Sequence, residues 1–180
     1  MLIKLKDPDV SNSMLLTSGT LMTYLSLSII SGVLLSSLFY LPSGLYAADL
    51  TGTDKDDTLS GTMADDTIIG KKGMDSLYGN GGNDDIEGNS GNDYIQGEQG
   101  SDTLDGNDGN DILIGNTGGD KINGGNGDDL LEANVIIGST SVSDGSNDTL
   151  TCGPGNDTAF INPTDGDTAS SDCELVISTP

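Results

Sequence analysis

A short pattern of turn-forming and aliphatic residues repeats nine times without a gap between Gly52 and Glu132. Each unit has nine residues, begins with glycine, has aspartate at position 6 and has leucine or isoleucine at position 8. Position 4 is also glycine in the last seven units, whereas Lys55 and Ala64 stand there in the first two. The last three residues of each unit read x-aliphatic-x, which predicts a short strand with one side chain inward and two outward.

This alternation of turns and short strands predicts an all-β, parallel β-roll, a right-handed solenoid. Two units form one flattened coil of about 18 residues, so that units n and n+2 stack at roughly the 4.8 Å strand spacing of a parallel sheet. Glycine at positions 1 and 4 predicts that the backbone turns there through positive φ, where other side chains clash.

Each turn carries one invariant carboxylate, and the stacking places these carboxylates above one another. Two carboxylates so close repel each other unless a cation lies between them, and hard oxygen ligands of variable geometry favour Ca²⁺ over Mg²⁺ or Zn²⁺. If every n/n+2 pair held one ion, the roll would hold seven. The predicted metal ligands are Asp57, Asp66, Asp75, Asp84, Asp93, Asp102, Asp111, Asp120 and Asp129.

The run resembles the repeats-in-toxin (RTX, haemolysin-type) repeat, G-G-x-G-x-D-x-U-x. The resemblance implies a β-roll with Ca²⁺ between stacked turns, held by the position-6 aspartates and by turn carbonyls. The sequence departs from that repeat at position 2, which is glycine only at Gly125, and at Lys55 and Ala64. Lys71 and Lys72 add positive charge to the third turn, so we expect well-formed sites from Gly73 onward.

The charge of the chain is consistent with a store of cation ligands. The net charge is −23, and residues 49–180 contain four lysines and 27 acidic residues (29 in the chain, less Asp7 and Asp9). Such a surface repels nucleic acids and anionic membranes. Seven Ca²⁺ ions would add +14 and leave −9. Because the repeats offer few core side chains and many mutually repelling aspartates, we expect the metal-free chain to be largely disordered and calcium binding to drive folding.

Residues 1–48 have a different composition. Lys4 and Lys6 precede a long uncharged stretch whose most apolar part is Leu21–Leu41, and Ala47 and Ala48 provide small residues before the acidic repeats. This pattern predicts a helical signal peptide cleaved near the two alanines. An uncleaved membrane anchor and a buried soluble helix are the alternatives. Either of the first two would place the repeats outside the cytoplasm, where calcium is abundant enough for weak sites.

The predicted domains are therefore 1–48, a signal peptide or anchor; 49–132, the nine-unit β-roll; and 133–180, a C-terminal segment. That last segment contains two degenerate units with Asp148 and Asp157 at position 6. An atypical terminal segment is expected to cap the exposed end of a solenoid.

The C-terminal segment contains both cysteines of the chain, Cys152 and Cys173. In an exported protein the pair predicts a disulfide that closes a loop of about 20 residues. A reactive or metal-binding thiol pair is the alternative. Asp165 and Asp167 indicate either a further ion site or a polar turn.

The outward positions differ between the two predicted sheets. Odd-numbered units present an apolar group on their outer face, namely Tyr78, Tyr94, Ile112, Ile114 and Leu130. This face is either a docking surface or the ordinary scatter of apolar residues on protein surfaces.

Catalytic signatures are missing from the sequence. The chain has no histidine, so it has no H-E-x-x-H zinc site and no Ser-His or Cys-His pair. We therefore predict an exported, non-enzymatic calcium-binding protein that serves as a structural or interaction module. A surface adhesin that docks a partner on the odd-unit face and a passive extracellular calcium buffer are the alternatives.

Overall fold

The structure, a computed structural model, describes residues 2–5, 14–17, 46–137 and 140–178, with side chains at 46–134 and 143–178. Every regular element in these residues is a strand. The predicted helix over Leu21–Leu41 lies outside them, and they contain no helix long and apolar enough to cross a membrane. The strands are β1 Leu2–Leu5, β2 Met14–Thr17, β3 Ala48–Thr51, β4 Thr58–Ser60, β5 Thr67–Lys72, β6 Ser76–Gly81, β7 Asp85–Ser90, β8 Tyr94–Gln99, β9 Thr103–Asp108, β10 Ile112–Thr117, β11 Lys121–Asn126, β12 Leu130–Ile137, β13 Thr140–Val142, β14 Thr149–Thr151, β15 Thr158–Ile161, β16 Thr168–Ala169 and β17 Leu175–Ser178.

From β3 onward, and apart from β13, successive strands alternate between two sheets, which confirms the predicted parallel β-solenoid. One sheet has the order β16-β14-β11-β9-β7-β5-β3-β1-β2, and the other has the order β17-β15-β12-β10-β8-β6-β4. From β3 onward the strands on these two paths are parallel, and within the repeats the register is 18 residues, as in Leu77↔Ile95 and Ile95↔Leu113. Units n and n+2 therefore stack as the repeat predicts. Only the β1–β2 and β12–β13 pairs and the β1–β3 contact are antiparallel in the described residues.

The core is a double column of the position-8 aliphatic residues. Because side chains alternate along a strand, each of these residues points between the sheets while its two neighbours point outward. Each has at most 2% of its surface exposed. The columns are Leu59, Leu77, Ile95, Leu113 and Leu131 on one sheet and Ile68, Ile86, Leu104 and Ile122 on the other.

The φ angles of the turns agree with the prediction at position 4 and contradict it at position 1. Position-4 glycines from Gly73 to Gly127 have positive φ, as predicted, but the prediction was wrong for position 1. Positive φ falls instead on position 2, as at Asn80 (φ 75°) and Asn107 (φ 72°). Position 1 requires glycine for space: a Cβ on Gly97 would lie 2.3 Å from Asp102 Oδ2 and 3.0 Å from the Gly115 carbonyl oxygen.

The two sheets continue beyond Glu132 into the C-terminal segment. β14 and β15 pair in parallel with β11 and β12, and β16 and β17 extend the sheets by one strand each. Cys152 is fully buried and forms a disulfide with Cys173, with a Cα–Cα distance of 5.1 Å. The disulfide joins the coil of β14 to the chain just before β17, and it confirms the predicted pairing.

Reduction of this disulfide should lower the stability of the C-terminal coils by about 3 kcal/mol, because the bond restricts a loop of about 20 residues in the unfolded chain. Urea unfolding in saturating calcium, with and without a phosphine reductant, measures the difference. Since the chain has two cysteines, both in this bond, reduction changes nothing else. An unchanged urea midpoint would contradict the expected contribution.

Candidate metal centre

The position-6 aspartates form two continuous ladders, one along each edge of the solenoid. From Asp66 to Asp129, the Oδ1 of each aspartate accepts the backbone N–H of the residue 18 positions earlier, which is Ala48 for Asp66 and a position-6 aspartate for the others. Asp84 N–H donates to Asp102 Oδ1 and Asp102 N–H donates to Asp120 Oδ1, both at 2.8 Å. This bond fixes every carboxylate at the same height in its turn. Among the nine predicted ligands, Asp66 to Asp129 are buried with at most 3% of their surface exposed, and Asp57 is half-buried.

The second oxygen of each carboxylate has no donor along most of the ladder. A buried carboxylate oxygen without a partner is costly, since it has lost its water and gained nothing in return. Each Oδ2 lies beside the position-1 glycine of its own unit, and a position-1 carbonyl oxygen from one coil later borders the same glycine, as Asp102 Oδ2 and the Gly115 carbonyl do at Gly97. The unpartnered atoms within the repeats are Oδ2 of Asp75, Asp84, Asp93, Asp102, Asp111, Asp120 and Asp129.

The first two units differ because threonine satisfies their carboxylates. Thr53 donates its N–H and its hydroxyl to Asp57 Oδ2, at 2.6 and 2.8 Å. Thr62 donates its N–H to Asp66 Oδ2 and its hydroxyl to Asp66 Oδ1. These threonines occupy position 2, where later units have residues with positive φ. The structural break therefore falls between the second and third units, at the place where the sequence departs from the repeat.

The unpartnered oxygens fit a calcium ion better than a transition metal. Among the described residues, no three Asp, Glu or Cys side chains come together as a closed cluster. An ion at the ladder would therefore take carboxylate oxygens from stacked turns together with backbone carbonyl oxygens. A set of oxygen ligands without nitrogen or sulfur is the type that Ca²⁺ accepts.

Burial raises the pKa of the ladder carboxyls, and neighbouring carboxylates add to the effect. By contrast, hydrogen bonds from Thr53 lower the pKa of Asp57. Backbone N–H donors along the ladder oppose the rise without cancelling it. The pKa is raised from 3.8 to about 7 for Asp84, Asp111 and Asp148, to about 8 for Asp120, and to about 6 for Asp102 and Asp129.

We expect the metal-free chain to be more stable at pH 5 than at pH 8. A carboxyl whose pKa is raised on folding stabilises the fold below its unfolded value of 3.8, and that contribution is lost as the pH rises through about 6 to 8. The β content in calcium-free buffer at the two pH values, measured by far-UV circular dichroism, tests the expected difference in stability. In saturating calcium the order should reverse, since protons compete with the ion. A metal-free chain with more β structure at pH 8 than at pH 5 would contradict the prediction.

The structure also reveals a second, outer ladder that sequence reasoning missed. At position 5, Asp65 Oδ1 accepts Asn83 N–H at 2.7 Å, and Asn83 Oδ1 accepts Ser101 N–H at 2.8 Å. The same bond links Asn92 to Asn110 in the other column. These bonds occupy turn N–H groups and hold successive turns at a constant spacing. The recurrence of Asp or Asn at position 5 was the signal that could have identified it.

The inner ladders extend past the nine predicted ligands. Asp148 and Asp157 continue them, with both Oδ2 atoms buried and unpartnered. Asp167 and Glu174 then accept the N–H groups of Asp148 and Asp157, at 3.0 and 2.9 Å. The sequence around Glu174 does not follow the repeat, so only the register of β17 identifies its place in the inner ladder.

Comparison with known proteins agrees with this geometry. The chain matches the RTX calcium-binding nonapeptide repeat in four overlapping copies, at residues 44–77, 60–95, 78–113 and 105–135. Together these copies cover just over half of the chain. No curated protein matches it significantly. Nine repeats in register, the parallel β-solenoid and the match over 44–135 lead to one conclusion: the chain belongs to the RTX calcium-binding nonapeptide repeat family.

Proposed function

We propose that this chain is an exported calcium-binding protein whose β-roll folds when Ca²⁺ binds, and that it serves as a non-catalytic structural or interaction module. The observation that carries the proposal is the row of buried aspartates with an unpartnered oxygen in every coil from Asp75 onward. A folded apo chain would leave these negative charges buried without compensation, which is strongly unfavourable.

The residues of the chain prepare the sites for the ion. Backbone N–H groups orient each carboxylate through Oδ1 and leave Oδ2 free. Position-1 glycines leave room beside Oδ2, and positive φ at positions 2 and 4 bends the turn. Bound Ca²⁺ would supply positive charge between the turns. We assign this role to the predicted ligands Asp75 to Asp129, whereas Asp57 and Asp66 already have threonine donors.

Export is supported by three features. The Cys152–Cys173 disulfide is typical of oxidising compartments. The sequence of residues 1–48 favours a signal peptide or an anchor, and weak calcium sites fill only at extracellular concentrations, on the order of 10⁻⁴ to 10⁻³ M.

Circular dichroism of the full chain, titrated separately with CaCl₂ and MgCl₂, tests the proposal. We expect a transition from coil to β structure near millimolar calcium and no transition with magnesium, because Mg²⁺ needs a rigid octahedral site and loses water reluctantly. A β-rich spectrum in excess chelator at pH 8 would contradict calcium-coupled folding.

A second role, docking of a partner on the odd-unit face, is favoured by the packing of that face. The rings of Tyr78 and Tyr94 lie 6.1 Å apart, and Ile112 is 39% exposed. Leu175, at 51% exposed, extends the same face into the C-terminal coils.

Calcium-dependent binding to a cell-surface fraction would test this role. The double change of Tyr94→Asp and Ile112→Asp should abolish binding and leave the calcium titration intact. Equal binding by the double variant would contradict docking there. If the chain were only a passive calcium buffer, neither the unchanged chain nor the double variant would bind the cell-surface fraction.

A further inference from the structure

The first coil, formed by units 1 and 2 (residues 52–69), carries far less uncompensated charge than the coils that follow. Residues 52–72 contain five aspartates and three lysines, a net charge of −2, whereas residues 73–132 contain 14 acidic residues and one lysine, a net charge of −13. Lys72, in the third unit, places its Nζ 3.0 Å from Asp54 Oδ2 in the first unit. Repulsion between carboxylates therefore opposes folding mainly after the first coil.

The carboxylates of the first coil also find donors within their own turns. Asp66 is only 3% exposed, and both of its oxygens are satisfied: Oδ1 accepts Ala48 N–H at 2.5 Å, and Oδ2 accepts Thr62 N–H. The Thr62 hydroxyl lies 3.2 Å from Asp66 Oδ1, and Thr53 gives both its N–H and its hydroxyl to Asp57 Oδ2. The threonine bonds join residues four positions apart, so they close short loops at little cost in chain entropy.

The C-terminal end of the solenoid has no equivalent of these threonines. The Cys152–Cys173 disulfide restrains that end, but Asp148 and Asp157 keep a buried Oδ2 without a donor, as the repeats from Asp75 onward do. Residues 133–180 also contain no lysine or arginine to offset the charge. The C-terminal coils therefore need an added cation before they can bury these carboxylates.

The first coil offers an edge on which the second coil can form. Asp57 N–H donates to Asp75 Oδ1 and Asp66 N–H donates to Asp84 Oδ1, both at 2.7 Å. Its strand β4 pairs in parallel with β6, and its strand β5 pairs in parallel with β7. Each coil of a solenoid contacts only its neighbours, so a coil that adds to an existing edge avoids the cost of starting the structure anew.

We propose that the first coil is a metal-independent start of the β-roll, in which Thr53 and Thr62 take the place of the ion, and that calcium-driven folding spreads from it towards the C terminus. The inference rests on the proposed function, because it requires the coils from Asp75 onward to wait for calcium. The first coil comprises 18 of the 180 residues, so a folded first coil is compatible with low overall β content in chelator.

Hydrogen exchange of the full chain in excess chelator at pH 8, followed by mass spectrometry, tests the first part of the proposal. Amides of β4 and β5 should exchange on the order of tenfold more slowly than those of β8 to β11. Fast exchange in every coil would overturn the metal-independent start and leave calcium-coupled folding intact. Slow exchange in every coil would instead contradict calcium-coupled folding, and with it the proposed function.

The double change of Thr53→Val and Thr62→Val removes the two hydroxyls and keeps the branched shape of the side chains. In chelator it should speed exchange of β4 and β5 on the order of tenfold, since a hydrogen bond to a charged group is lost in each turn. Thr67→Val is the matched control, because it makes the same change in the same coil at an exposed outward position. If the double variant and the control exchanged alike, the threonines would not have the proposed role.

The direction of folding is tested by adding CaCl₂ to the chelated chain and labelling its amides at increasing delays. Protection should appear in β6 and β7 before it appears in β14 and β15. In the double threonine variant this order should be lost, while protection in saturating calcium should still reach every coil. Earlier protection of β14 and β15 in the unchanged chain would overturn the proposed direction.

Discussion

Replacing Gly109 with alanine is expected to destabilise the β-roll by more than about 4 kcal/mol, the range of severe core disruption. A Cβ at this position-4 glycine would lie 1.6 Å from the carbonyl oxygen of Gly91, the equivalent glycine one coil earlier. Gly109 also has φ 148°, and its N–H donates to the Asn126 carbonyl oxygen at 2.8 Å. The backbone cannot move away from the overlap without breaking the ladder of turns.

Two control substitutions separate the loss of stability caused by steric overlap from the loss caused by a positive φ. Gly145 has φ 78° with no heavy atom within 4 Å of a built Cβ, so Gly145→Ala should cost only about 1 kcal/mol. Gly119 has neither a positive φ nor a contact closer than 3.2 Å, so Gly119→Ala should change stability least.

Urea unfolding in saturating calcium measures all three variants. Because each coil of a solenoid contacts only its neighbours, hydrogen exchange should rise first in β9 and β10, the strands on either side of the altered turn. If Gly109→Ala unfolded at the same urea concentration as Gly145→Ala, close stacking of the position-4 glycines would not be required.

Replacing Asp111 with asparagine is expected to change stability in opposite directions with and without calcium. Asp111 is 1% exposed, its Oδ1 accepts Asp93 N–H at 2.8 Å, and its Oδ2 has no donor. Asparagine keeps the Oδ1 acceptor and removes a buried negative charge, so the metal-free chain should gain stability at pH 8. With calcium, loss of a charged ligand should weaken binding at the adjoining sites on the order of tenfold.

Asp85→Asn is the matched control, since it makes the same charge change at an exposed outer position of β7. Both variants are compared at pH 8 by calcium titration, by urea midpoints in saturating calcium, and by the β content in chelator from circular dichroism. Asp85→Asn should leave the calcium midpoint almost unchanged. If the two variants behaved alike in calcium, the role of Asp111 as a ligand would be contradicted.

Local rules of sequence predicted most of this fold because each repeat specifies its own strand. One inward aliphatic residue per unit and one carboxylate per turn were sufficient to predict two parallel sheets, an 18-residue register and two aspartate ladders. The predicted role of glycine at position 1 was wrong, since its requirement is space beside Asp Oδ2 rather than positive φ. The distances between atoms of stacked coils depend on the tertiary structure, and the sequence of a single unit does not predict them.

The sequence by itself determined the solenoid, its core columns and the candidate ligands, because these depend on a period that can be read along the chain. Only the tertiary structure decided which carboxylates lack donors. Thr53 and Thr62 satisfy Asp57 and Asp66, whereas later aspartates of identical sequence position keep Oδ2 free. It also decided that Asn134 donates to Asp167, which in turn accepts the Asp148 N–H. The hydrogen bond from Asn134 to Asp167 joins residues 33 positions apart, a separation that the 18-residue period does not predict.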